Sequence, residues 1–257
     1  MNKNKISIYY NSEKWLLMKI KEFVYGNKRI NRCLELLFNH IPDRGEIDIC
    51  EIGCSIGLTT YQIALEYPLT RIHGYDIAEE QIKYANQTFN SEQVNFFVHD
   101  FMSPISDKYD LITLFDVFEH IPIDDRKVFA TNIGTALKKH GKIIMTVPSH
   151  FSTIYNKASR KDLLQIVDEE VKLIDLIDFA NDTSTNLSYY SLVSIWSKHD
   201  YAHVIFDREK PLSDFDSNVT INNGLFQKIK IKLGIGSFRT GLRKRKQLIK
   251  ERTGMEI

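Results

Sequence analysis

The chain lacks most of the features that would sort a protein quickly. No stretch approaches the ~18 consecutive apolar residues of a membrane-spanning helix, and the opening MNKNKISIYYNSEKW has no apolar core of a secretory signal, so a cytoplasmic location is expected. Neither sign of charge dominates: 34 Lys and Arg stand against 33 Asp and Glu, a formal net charge of +1. That balance removes the overall electrostatic case for a nucleic-acid binder. Three cysteines occur, Cys33, Cys50 and Cys54, an odd number without metal-ligand spacing to histidine. Reduced, mostly buried thiols are expected rather than a disulfide, and no metal. Neither an internal repeat nor a low-complexity tract is present, so the chain is not read as a repeat array.

What is present is a 257-residue chain with 43% hydrophobic residues, long enough for one large α/β domain that buries roughly three quarters of its unfolded surface. Residues 12–40 read as a helical lead-in: Trp15, Glu22 and Phe23 recur at helical spacing, then Cys33, Leu36, Leu37 and Ile41 share a face before Pro42. From residue 46 short apolar runs alternate with amphipathic segments of about 10–15 residues, the pattern of βαβ units and a parallel sheet. Pro68 is expected to end the first of these helices. A helix over 124–139, with Val128, Phe129, Ile133 and Leu137 on its buried face, is expected to run to a left-handed Gly141. RKDLLQIVDEEVKLIDLIDFA reads as one long amphipathic helix, and LSYYSLVSIW with YAHVIF as an antiparallel pair at the sheet edge. The expected fold is therefore a Rossmann-like, doubly wound α/β sheet, mostly parallel with an antiparallel terminal strand. Its divisions are a lead-in over 1–45, a main domain over 46–208 with an insertion at about 150–185, and a basic extension over 209–257.

The stretch CEIGCSIGLTT, residues 50–60, carries the functional signal. Its GCSIG fits the Gly-x-Ser-x-Gly elbow of a hydrolase, but such a serine follows several strands, and only helical material precedes this one. A dinucleotide fingerprint aligned on Gly53 requires glycines where Ser55 and Leu58 stand. Read from Glu51, the same residues are an acidic side chain followed by a turn of small residues that opens a helix, where Gly53 and Gly57 leave no Cβ in the way of a ligand. Asp76 closes the second strand about 20 residues further on, the distance at which a carboxylate reaches both hydroxyls of a ribose in a βαβ fold. Asp100 closes the third strand after VNFFVH. Either aspartate alone is as readily a turn or N-cap residue.

Taken in order, Glu51-Ile52-Gly53-Cys54-Ser55-Ile56-Gly57, Asp76, Asp100, KYDLITLFDVFEHI and ALKKHGKIIMTVPS resemble the class I S-adenosylmethionine-dependent methyltransferases over about residues 46–150. Ser55 departs from the family's middle glycine. The resemblance implies S-adenosylmethionine as cofactor. Glu51 would orient its methionine ammonium, Asp76 its ribose and Asp100 its adenine amino group, with Phe101 beside the ring. Gly53, Cys54, Ser55, Gly57 and Ile77 would line the turns, and Phe115 and Asp116 would close the far end. In the enzymes resembled, the segment after the fourth strand faces the methyl group. His120 is accordingly the first candidate for a general base and His150 the second, because imidazole titrates near neutral pH. Glu119 and His120 serve equally well as loop caps, and His199 and His203 read as structural. The Asn/Asp-Pro-Pro-aromatic signature of nucleobase amino-methyltransferases is absent, since DVFE stands there.

A small-molecule or sugar-containing acceptor, methylated at oxygen, is the expectation. The insertion, with Phe151 and Tyr155, would cover it, while Tyr189, Tyr190 and Trp196 read equally as lining or core. Residues 228–252 are dense in Lys and Arg, which suits an anionic membrane surface, RNA or a phosphorylated substrate carrier, a partner subunit in a homo-oligomer, or an acidic patch of the same chain. The alternative function is a noncatalytic scaffold of the same fold that uses this tail for binding.

Overall fold

A computed structural model describes residues 3–41, 46–208 and 242–256. Three helices come first: α1 (Lys3–Tyr10), α2 (Glu13–Tyr25) and α3 (Lys28–His40). The side chains of Ser12 and Asn27 accept from the backbone N–H of Trp15 and Arg29, which starts α2 and α3 by satisfying free first-turn donors. There follow β1 (Asp48–Ile52), α4 (Leu58–Glu66), β2 (Arg71–Asp76), α5 (Glu79–Phe89), β3 (Val94–Val98), β4 (Tyr109–Phe115), α6 (Arg126–Ala136), β5 (Leu137–Pro148), α7 (His150–Ser159), α8 (Leu173–Thr183), β6 (Asn186–Val193), β7 (Tyr201–Asp207) and α9 (Leu242–Thr253). The strands form one seven-stranded sheet in the order β3-β2-β1-β4-β5-β7-β6. β1 to β5 pair parallel, and β7 pairs antiparallel with β5 and β6.

Alternating side chains send the strands' apolar residues to two cores. Ile49, Leu111, Ile144 and Ile205 face one side with Phe23, Leu34, Leu37, Phe89 and Ile249; Cys50, Ile112, Met145 and Phe206 face the other with Phe129, Ile133, Leu176 and Phe179. The sheet is thus doubly wound, as expected. Ile20, Phe23, Cys33 and Leu37 of the lead-in pack into the same core as the sheet. The three thiols are free and buried. No helix among the described residues is long and apolar enough to cross a membrane.

Three local expectations are corrected. The helix expected over 124–139 ends at Ala136, and Gly141 lies inside β5, where an added Cβ would meet Leu137 side-chain atoms at 2.6 Å. Val128 is half exposed, so Phe129 and Ile133 carry the docking face. The long helix expected from residue 160 exists only as α8, because residues 167–170 give backbone groups to distant partners instead of to a helical ladder. Glu169 N–H donates to Glu119 O at 2.8 Å, Val167 O accepts from His120, and Arg126 reaches Glu170 O. α8 itself packs into the second core through Leu176 and Phe179, with the Thr183 backbone against Gly134. The covering part of the insertion is therefore α7 and the extended segment that follows. Of the basic tail, residues 228–241 lie outside the described residues; α9 docks by Ile249 on the first core, and Lys246 reaches the Tyr25 hydroxyl at 3.2 Å.

Candidate active site

The carboxyl ends of β1, β2, β3 and β4 open into one cleft of about 1920 Å³, walled on its other sides by α1 to α3 and by residues 151–169 of the insertion. Glu51, Gly53, Cys54, Ser55, Asp76, Ile77, Asp100, Phe101, Phe115, Asp116 and His120 all line it. Of the expected cofactor residues Gly57 does not. Its φ of +81° and the 2.6 Å approach of Phe96 to a built Cβ show that it serves the start of α4 and its packing.

The turn after β1 is left-handed at Gly53 (φ +74°) and Ser55 (φ +53°). A serine held there carries roughly 1 kcal/mol or more of backbone strain, offset by two contacts. Its N–H donates to Asp76 Oδ2 at 2.9 Å, and its hydroxyl donates to Gln81 Oε1. The family's middle glycine is thus replaced by a residue that ties the turn to β2 and α5. Asp76 also accepts from Ala78 N–H at 2.9 Å. Burial raises the Asp76 carboxyl, although the N–H groups of Ala78 and Ser55 oppose it. Glu51, 1% exposed, is pushed up to about 7 by burial, against the hydroxyls of Thr59 and Thr60 that donate to its two oxygens. Asp100 Oδ1 accepts from Met102 N–H at 2.9 Å. Phe101 (φ +56°) is fully buried, and its N–H donates to His99 Nδ1 at 2.9 Å, so His99 shares the position expected of Phe101 alone.

At the end of β4, Asp116 takes φ +57° and is ion-paired with Arg29 of α3. Its other oxygen accepts from Thr146 Oγ1 at 3.2 Å, beside Cys33 Sγ at 3.3 Å from the same hydroxyl. A lead-in helix is thereby fastened to the sheet at the cleft. α1 adds Tyr10, whose hydroxyl donates to Gln165 Oε1 at 3.0 Å and whose carbonyl accepts from Gln81 at 2.7 Å. Burial drives the Tyr10 phenol far above its ordinary value. Tyr9, Tyr10 and Trp15 pack ring to ring at 5.1–5.3 Å. Tyr9, Tyr10, Arg29, Gln81 and Asp168 were not picked out from sequence, and Trp15 and Cys33 only as residues of helical faces. Their partners lie far away in the chain, and the only signal was the aromatic run YYNSEKW.

His120 ends a short 3-10 turn (Phe118–His120). Its Nδ1 lies 2.6 Å from Val167 O and 3.2 Å from Asp168 Oδ1, and its Nε2 3.8 Å from Glu119 Oε1. His150, the second candidate, is the first residue of α7 and is not among the residues lining the cleft; its Nδ1 faces Glu170 Oε1. Of the aromatic residues Trp196 reaches the cleft mouth, whereas Tyr189 packs on the first core against His40. His203 is buried in β7, where desolvation lowers it to about 4, and His199 sits in the turn before β7.

Residues 50–143 match the family model described as a methyltransferase domain. These residues are a methyltransferase domain, in a chain with the fold of the class I S-adenosylmethionine-dependent methyltransferases. A malonyl-[acyl-carrier protein] O-methyltransferase of Acetivibrio thermocellus is 29% identical over 140 residues, 52% of this chain and 48% of the relative. The chain spans about half the length of the curated relatives it first matches. Among solved structures, magnesium protoporphyrin IX methyltransferase from Synechocystis with bound SAH has a TM-score of 0.64 at 16% identity, covering 81% of this chain and 100% of that one. The N-methyltransferase NodS of Bradyrhizobium japonicum with S-adenosyl-L-homocysteine has a TM-score of 0.56 at 16% identity, covering 70% and 86%. These structures share the methyltransferase fold. The methyltransferase domain's carboxylates also fit the cofactor chemically. Glu51, Asp76 and Asp100 offer acceptors at three neighbouring strand ends, matching an ammonium, a pair of ribose hydroxyls and an exocyclic amine.

Proposed function

We propose that the chain transfers a methyl group from S-adenosylmethionine to an oxygen of a small-molecule or sugar-containing acceptor. The observation that carries this reading is the convergence of Glu51, Asp76 and Asp100 with the Gly53–Ser55 turn on one cleft. When bound, the cofactor supplies a methyl group on a sulfonium, and its displacement leaves a neutral thioether. Glu51 then holds the ammonium, Asp76 the ribose and Asp100 the adenine amine. α1, α2 and α7 exclude water and align the acceptor, which is where much of the rate of such a displacement originates. His120 takes the proton of an acceptor hydroxyl.

The relatives named for malonyl-[acyl-carrier protein] favour a second acceptor, an acyl group bearing a carboxylate. A carboxylate is already ionised at neutral pH, so that acceptor would leave His120 without a proton to take. Equilibrium binding of S-adenosylmethionine to the purified chain tests the common part. Binding lost at least ~100-fold in Asp76→Ala is expected from removing charge-assisted hydrogen bonds. Binding equal in variant and wild type would sink the reading. Screening hydroxyl and carboxylate acceptor pools with methyl-labelled cofactor separates the two acceptors. Cofactor bound with no turnover on any pool would favour the noncatalytic alternative.

A further inference from the structure

The insertion does more than cover the cleft. Residues 164–172 lie extended across the turn that carries His120, held at Glu119 O by Glu169 N–H, at Tyr10 by Gln165, and at Arg126 by Glu170 O. Two oxygens of this segment, Val167 O and Asp168 Oδ1, converge on one ring nitrogen of His120, at 2.6 and 3.2 Å. A carbonyl and a carboxylate can only accept, so the nitrogen between them must donate.

We infer that Asp168 is a positioning residue that keeps the proton of the neutral His120 ring on Nδ1, leaving Nε2 as the atom that can take a proton from an acceptor. The inference rests on the reading of His120 as the base. It makes the base a product of two remote segments, so that His120 is set only when the insertion is docked. The groups facing the imidazole are Glu119 on its own turn, Asp168 from the insertion, and Tyr10 from α1, whose ring centroid lies 6.3 Å away. One oxygen of Glu119 is buried without a hydrogen-bond partner. Burial by itself pulls the imidazole down, yet Glu119, Asp168 and the Val167 carbonyl together outweigh it and raise His120 above the ordinary range. Asp168 thus serves a second end, a more basic Nε2. Val167 O alone would orient the ring but supplies no charge.

The test uses the full chain with ¹⁵N-labelled histidine. In the wild type the neutral His120 ring is expected to be the Nδ1–H tautomer, and an Nε2–H tautomer would overturn the inference without any variant. In Asp168→Asn, which keeps an oxygen able to accept from Gln165 N–H, the His120 titration should fall by about one pH unit. The Nδ1–H population should fall with it, and Asp168→Glu should restore both. Titration and tautomer unchanged in Asp168→Asn would overturn the inference. The acid limb of the methyl-transfer rate should move to lower pH together with the titration, with about a tenfold lower plateau. If the titration moves and the acid limb does not, Asp168 keeps its positioning role and it is the base reading that falls.

Discussion

The two walls of the cleft satisfy their charges differently. On the cofactor side, the carboxylates of Glu51, Asp76 and Asp100 are met by neutral donors close in space: hydroxyls of Thr59 and Thr60, and the N–H groups of Ser55, Ala78 and Met102. On the acceptor side, side chains meet across long stretches of chain, as in the ion pair of Arg29 with Asp116 and the contact of His120 Nδ1 with Asp168. Neutral donors leave acceptor lone pairs on Glu51 and Asp76, which suits a wall that receives a donor-rich ligand. Pairs between separate segments tie one element to another. They suit a wall whose work is to fasten helices and aim one imidazole.

The sharpest way to break this contrast is His120→Ala. Turnover should fall by ~10²- to 10⁴-fold while the cofactor Kd stays within about twofold, as read by labelled methyl transfer and calorimetry. A normal rate would remove the base and favour a carboxylate acceptor. Next in size is Arg29→Ala, which leaves Asp116, 10% exposed, without its cation. A loss of ~2–3 kcal/mol is expected in chemical denaturation, and Arg29→Ala/Asp116→Ala should cost less than the sum of the single changes. Additive costs would mean that the pair fastens nothing. Gly57→Ala tests the cofactor wall from behind. At φ +81°, with Phe96 2.6 Å from the new Cβ, it should cost ~1–3 kcal/mol of stability and leave the cofactor Kd of the folded protein unchanged. A weakened Kd would put Gly57 back at the ligand.

The smallest effect is a pH dependence. Glu51 sits at about 7 in the folded chain, and a bound ammonium favours its ionised form, so binding below pH 7 must expel a proton. Cofactor affinity should therefore tighten roughly fivefold between pH 6 and pH 8, and Glu51→Gln should flatten the profile. The sign for stability is opposite. The folded group holds its proton to higher pH than the unfolded one, so the cofactor-free chain loses this contribution as pH rises from the ordinary carboxylate range through about 7. Denaturant midpoints across that range in wild type and Glu51→Gln check it.

The cofactor wall was legible because its signals are local. An acidic residue, a small-residue turn and an aspartate at each following strand end are consequences of strand length and turn geometry. Ser55, which departs from the family's middle glycine, takes the left-handed turn while its N–H donates to Asp76. The errors came where tertiary partners outbid local periodicity. Residues 164–172 have a helical pattern, but buried Val167 and Val171 and the backbone partners on Glu119, His120 and Arg126 hold them out of a helix. His150 shares its titration chemistry with His120, and only the tertiary structure shows its Nδ1 turned to Glu170.

By itself, then, the amino-acid sequence determined the alternation of strands and helices and the residues at the carboxyl ends of β1, β2 and β3. Hydrophobic period and turn chemistry act within a few residues. The tertiary structure alone decided which helix closes the cleft, which histidine faces it, and that Asp168 stands beside His120. Those choices depend on contacts between residues tens of positions apart, for which no local pattern exists.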